Sequence, residues 1–391
     1  MNYLKMVCLS GSLCATAALV YPAAAQEPAT TTTSGPAAYV YVSSTPKNSS
    51  VNEIIGYAAA PNGVLTALNG SPYTADVTTM AVNGKYLFGA NKNGVYIDSY
   101  HIRSNGSLSL WEQTDVAKFN YNDCGSSGPL FLDHTGQTLY DMEFDANGCA
   151  NNEYESLAVN KADGALSNIG SSTYTSWLYQ AASFIGNNVY AYSVACIGNS
   201  YWTIFGEQRA SNGLLTSIGN FKAPLPTPKS GDFWCPAQAA ADPTDHVAMV
   251  MQPVNGSTFA SDGGAQIASF TAASNGNLST TNTRSTMPVT SVGTALSISM
   301  APSGKLLAVG GSAGLQIFHF NGASAATKDT GLLTTAEIDQ MFWDDQNHLY
   351  AISRSAGRLY VFTITPTSVS QAAGSPHAIT GPQNIAVQPL P

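Results

Sequence analysis

Charge is scarce in this chain: Asp, Glu, Lys and Arg make up 10% of its 391 residues, and 24 acidic residues outweigh 15 basic ones. A cationic surface for nucleic acid or for an anionic membrane is not expected from that balance. No stretch carries a sustained 3.6-residue apolar period, so little helix is expected. Beyond the first 25 residues no apolar run is long enough to cross a bilayer. There is no Cys-x-x-Cys and no Cys/His cluster, which argues against zinc. Nothing in the sequence implies a cofactor. What is plentiful is Gly, Ser, Thr, Asn and Tyr, with 35 glycines and 19 tyrosines. That composition belongs to a turn-rich β protein whose surface is made polar by uncharged groups.

The first residues read as an export signal. Lys5 gives a short positive region, an apolar stretch runs from about Met6 to Tyr21, and Ala23-Ala24-Ala25 offers an Ala-x-Ala cleavage site. A membrane anchor fits less well, because Ser10, Gly11, Ser12 and Pro22 interrupt the run. A lipoprotein signal fits less well still at Cys14. The expected division is a signal peptide at 1–25, a Pro/Thr/Ser/Ala leader at 26–37 and one folded domain at 38–391, in a secreted or periplasmic protein. Four cysteines follow the signal: Cys124, Cys149, Cys196 and Cys235. Their even number suggests two disulfides, and three pairings are open.

After the leader an Asn/Asp-Gly-x-Leu turn recurs at 62–65, 105–108, 163–166, 212–215 and 275–278, with a looser copy at Gly331-Leu332-Leu333. Such dipeptides between β-rich runs mark hairpins, because both residues tolerate positive φ. A second element, two apolar runs around a polar turn, precedes each; 80–88, 298–309 and 342–352 are its clearest copies. Together they predict four-stranded repeats near 78–116, 127–174, 178–224, 236–288, 294–336 and 338–376. The ends hold complementary halves of a seventh: 382–389 reads as a first strand and 38–43 as a second. The expected fold is all-β, a seven-bladed propeller closed by the C-terminal strand pairing with the N-terminal strands, which leaves few exposed sheet edges. A pair of β-sandwiches is the alternative, and the complementary ends argue against it. Closed propellers are often monomers, and a monomer is expected here.

The order Tyr39-Val40-Tyr41-Val42, Ile55-Gly56-Tyr57, Gly63-Val64-Leu65-Thr66 and Gly70-Ser71-Pro72-Tyr73, echoed by Gly374-Ser375-Pro376-His377, resembles the lactonase-type seven-bladed propellers. That family includes propeller 6-phosphogluconolactonases and carboxy-muconate cyclases. The resemblance implies an active site on one face of the ring: a His before the first strand of one blade, an Arg-His pair in the next, and a Glu ending that blade's second strand. Such a set would position a lactone and manage proton transfer. Here Gly128 falls at the His, Gln180 and Ala181 at the Arg-His pair, and Cys196 at the Glu. One blade on, Ala237, Gln238 and Pro253 occupy those positions. His134 and His246 fall in turns at the opposite end of the hairpins, and His101 and His319 inside third strands.

The same register carries all four cysteines to that face and pairs Cys124 with Cys149 and Cys196 with Cys235. Its ligand-facing candidates are Glu143, Asp145, Gln180, Trp234, Gln238 and Arg354, among aromatics at Trp177, Tyr179, Tyr201, Trp202 and Phe233. The acids of 141–147 do not have calcium-loop spacing, and no metal is expected. No catalytic residue is assigned. The expected function is ligand or partner binding, with a small molecule or glycan on this face; the alternative is a divergent hydrolase of a neutral, non-phosphorylated sugar-type lactone or ester. A phosphorylated substrate would need converging cations that the chain lacks.

Overall fold

A computed structural model describes residues 35–118, 127–143, 152–174, 180–197 and 201–391. The expected signal peptide, nearly all of the leader, Cys124, Asp145, Cys149, Trp177 and Tyr179 lie outside the described residues. Seven antiparallel sheets follow one another along the chain, each built on four strands, with a short fifth, Tyr73–Thr74 or His377–Ala378, added in blades 1 and 7. In blade 1 the C-terminal Pro382–Pro389 is the innermost strand, paired with Ala38–Ser44 and followed outward by Glu53–Ala59 and Leu65–Ala67. The register runs from Ala38 opposite Pro389 to Ser43 opposite Asn384, so the ring closes as expected.

Blades 2 to 7 begin with the inner strands Val77–Val82, Ser127–Leu132, Ser183–Phe184, Asp232–Ala241, Ala295–Met300 and Gln340–Trp343. Their outer strands are Leu108–Asp115, Leu166–Tyr174, Leu215–Ser217, Leu278–Ser279, Ser324–Thr334 and Ser368–Gln371. Among the described residues helix is confined to one 3-10 turn, Val116–Lys118. No described helix is long and apolar enough to cross a membrane.

Apolar clusters fill all seven seams between blades, for example Tyr41 with Leu87 between blades 1 and 2, and Trp234 with Tyr192 between blades 4 and 5. Because a neighbour covers both faces of each blade, second strands such as Ala38–Ser44 and Leu306–Gly311 are buried at every residue. That explains why these segments read as unbroken runs of apolar and small residues instead of alternating. Each large side chain so buried contributes roughly 1.5–3 kcal/mol.

The Asn/Asp-Gly turns join third to fourth strands, and they dock on the preceding blade. Tyr41, Tyr140 and Tyr192 each donate a 2.8 Å hydrogen bond to a turn carbonyl one blade on, at Gly106, Gly213 and Gly276. Gly106 has φ +78°, and a Cβ there would lie 2.5 Å from the Tyr39 ring. Only glycine meets both demands.

One expected turn is misplaced. Gly331 lies inside the fourth strand of blade 6, and the turn is Asn321-Gly322, where Gly322 has φ +62°. Ser324 stands where the other copies carry Leu, which hides this turn from the pattern. In blade 5 His246 takes the place of the tyrosine whose ring packs on the turn glycine, as Tyr39 and Tyr190 do on Gly106 and Gly276, with its own ring against Gly322. His348 does the same against Gly63 at the seam that closes the ring.

Candidate functional site

First strands start, and second strands end, on one face of the ring. Register shifts mark this end of the inner strands in blades 2, 3, 5, 6 and 1, between Val77 and Thr79, Ser127 and Leu130, Pro236 and Gln238, Ala295 and Ser297, and Pro382 and Asn384. A bulge turns the following side chain away from the regular pleat. Inner strands of all seven blades line a central channel of about 730 Å³. That lies within the range of small-molecule sites. Thr79, Gln180, Gln238, Gln340 and Asn384 are its polar lining at the mouth, joined by one carboxylate, Asp339, and one guanidinium, Arg354.

A side pocket of about 360 Å³ opens beside the mouth between blades 4, 5 and 6. It shares Gln180 and Gln238 with the channel and adds Gln252, Ser261 and Thr294, so the polar part of its wall is amide and hydroxyl with no charged side chain, set beside Val194 and several alanines. Its floor includes the disulfide between Cys196, near the end of a blade 4 strand, and Cys235, near the start of a blade 5 strand. Their Cα atoms are 5.2 Å apart, an ordinary span for the bond. This pairing is the expected one, and the other pair lies outside the described residues.

The positions singled out by the family resemblance have structural partners. Gly128 donates its N–H to Asp141 Oδ1 at 3.2 Å, and its carbonyl accepts the Thr79 hydroxyl at 2.7 Å. Gln180 Nε2 donates to the Ala237 carbonyl, tying blade 4 to blade 5. Arg354 is exposed and carried on the turn after the second strand of blade 7, where its N–H donates to Asp339 Oδ2 at 2.7 Å and its Nε to the Gln383 carbonyl at 2.9 Å.

Of the expected ligand-facing residues, Gln180, Gln238 and Arg354 line the channel. Glu143 ends the second strand of blade 3 opposite Glu153. Trp234 is a correction: it is 1% exposed, packs in the seam between blades 4 and 5, and its indole N–H donates to the Pro226 carbonyl at 2.8 Å. Alternation along the strand turns its neighbour Cys235 toward the pocket and the indole into the seam. The turn histidines His134 and His246 do sit at the far end of the hairpins, after Asp133 and Asp242.

Asp339, Gln340 and Asn384 were not singled out by the sequence. Each lies at or near the start of an inner strand, and nothing in their residue types separates them from other strand-edge amides and acids. The buried set His348, Asp344 and Tyr350 was missed too. Asp344 Oδ2 binds His348 Nδ1 at 2.7 Å and accepts the Tyr350 hydroxyl at 2.9 Å, in the turn after the first strand of blade 7 and away from the mouth.

No family model matches the chain, and no curated protein sequence matches it significantly. Solved structures do. The periplasmic gluconolactonase of Pseudomonas aeruginosa is 15% identical with a TM-score of 0.64, covering 90% of this chain and 99% of that one. A provisionally assigned 6-phosphogluconolactonase from Bacteroides uniformis is 11% identical with a TM-score of 0.65, covering 90% and 99%. A similarly assigned protein from Bacteroides fragilis is 13% identical with a TM-score of 0.59, covering 92% and 99%.

Proposed function

We propose that this chain, which has the lactonase-type seven-bladed propeller fold, is an exported binding protein that takes a small polar ligand at the channel mouth and side pocket. The observation that carries the reading is what stands at the four positions named by the family resemblance. Gly128 offers no side chain, Gln180 is an amide engaged with the Ala237 carbonyl, Ala181 offers only a methyl, and Cys196 is closed in a disulfide. None of the four can exchange a proton with a substrate near neutral pH, so general acid–base work has no agent there. The amide and hydroxyl wall suits a ligand rich in hydroxyl groups, since such groups exchange hydrogen bonds with carboxamides without burying charge. Export is supported by the signal-like N-terminus, the Cys196–Cys235 disulfide and the periplasmic location in the name of one structural neighbour.

The second reading is hydrolysis of a neutral sugar lactone, favoured by the Asp339 carboxylate at the mouth and by the lactonase names of the neighbours. A panel of neutral sugars, sugar acids and sugar lactones, scored for binding heat and for lactone turnover on the same protein, separates the two. Binding without turnover is expected; turnover that Asp339→Asn abolishes would replace the binding reading with the hydrolytic one.

A further inference from the structure

Three polar groups at the mouth are each held at one end by the backbone, which leaves their donor ends free. Gln340 Oε1 accepts the backbone N–H of Ile385 at 2.9 Å, and Asn384 Oδ1 accepts that of Met80 at 3.0 Å. Flipping either amide would set an NH₂ against an N–H, so these bonds decide which end points away. Arg354 is tethered through Nε to the carbonyl of Gln383. The three groups are therefore built around residues 383, 384 and 385 of one strand, and all three line the channel. Among the described residues neither amide NH₂ nor the Nη edge of Arg354 has a hydrogen-bond partner, and Arg354 has no ion pair. Asn384 as a whole is 6% exposed, and its NH₂ is the end left open to the channel.

Resting on the binding reading, we propose that Arg354, Gln340 and Asn384 form a carboxylate-binding corner, and that the ligand is a sugar acid: a hydroxylated body carrying one carboxylate. A guanidinium edge matches the two oxygens of a carboxylate, and the amide donors supply further bonds. Asp339 limits the charge that fits. Its Oδ2 accepts the Arg354 N–H, and the acid offsets the single cation, so a doubly charged phosphate is disfavoured at this corner. A free aldonate or uronate and the terminal uronate of a glycan share this chemistry.

Calorimetric titration of the protein with D-glucuronate, D-gluconate, a digalacturonate and, as the neutral counterpart, D-glucose tests the proposal. Glucuronate or gluconate should bind at least about tenfold more tightly than glucose at low salt, with the gap narrowing as salt rises. Preference for the digalacturonate over both monomers would assign the glycan terminus; the reverse would assign the free acid. Gln340→Glu and Asn384→Asp keep the acceptor that holds the backbone N–H and replace the free donor with a carboxylate oxygen. Each should cost about tenfold or more in affinity for the acid and shrink the preference for the acid over glucose. Arg354→Gln should do the same, with a thermal melt confirming that each variant is folded. Equal affinity for acid and neutral sugar, or variants that weaken both alike, would overturn the corner while leaving the binding reading in place. Binding of none of these ligands would overturn both.

Discussion

The hydroxyl of Tyr192 in blade 4 donates a 2.8 Å hydrogen bond to the carbonyl of Gly276, in the turn between the last two strands of blade 5. Tyr190, two residues earlier, reaches the Ser274 carbonyl of the same turn at 3.0 Å. Tyr41 and Tyr39 repeat the arrangement on Gly106 and Ser104 between blades 1 and 2. The repeated turn glycine and the Tyr-x-Tyr of the second strand are thus two halves of one latch between consecutive blades.

Breaking the latch should be costly from either side. Tyr192→Phe leaves the buried Gly276 carbonyl without its partner and should cost about 1–3 kcal/mol. Gly276→Ala meets both a φ of +80° and a Cβ position 2.5 Å from Ile218 and 2.7 Å from Tyr190. Left-handed strain plus overpacking gives an expected loss of about 2–4 kcal/mol. Urea unfolding of both variants checks the order, and a Gly276→Ala protein as stable as wild type would contradict it.

The disulfide between Cys196 and Cys235 closes a loop with a sequence separation of 39 and joins two blades at the pocket. Chain-entropy arguments put the loss on Cys235→Ser at roughly 4 kcal/mol. Non-reducing peptide mapping should recover Cys196–Cys235 and, on the pairing we propose for the remaining cysteines, Cys124–Cys149. Scrambled linkages would contradict the assignment of this face.

Glu207 is fully buried in blade 4, and among the described residues neither carboxyl oxygen has a hydrogen-bond partner. It shares a strand face with Phe205, which packs against blade 3, and Arg209, which pairs with Asp133 at 3.0 Å. Desolvation pushes its carboxyl well above the usual carboxylate range. The folded state therefore holds a proton that the unfolded chain releases above the ordinary Glu value. Stability is fully present below that value and falls as pH rises toward the folded one, with a limiting slope of about 1.4 kcal/mol per pH unit. Glu207→Gln removes this slope, so its stability relative to wild type should grow between pH 5 and pH 8. A difference independent of pH would show that Glu207 does not carry the effect.

The fold was legible because its signals are local and repeated. Asn-Gly turns, apolar pairs of strands and complementary ends gave the blade count, the ring closure and the Cys196–Cys235 pairing. Gly331 misled because it satisfies the glycine-leucine pattern inside a strand, whereas Asn321-Gly322 keeps the backbone demand and drops the leucine. Trp234 misled because one residue along a strand exchanges pocket for seam. The donors of Gln340 and Asn384 were not legible at all. What distinguishes them is which end of each amide a backbone N–H from the neighbouring blade occupies, a relation set only when the ring closes.

One measurement decides whether the mouth binds without hydrolysing. The measurement is the hydrolysis rate of glucono-1,5-lactone in a pH-stat at neutral pH, with and without the protein, followed on Asp339→Asn. We predict the spontaneous rate in every case, alongside measurable binding of the ligand series. Saturable turnover by the wild type that disappears in Asp339→Asn would contradict the account.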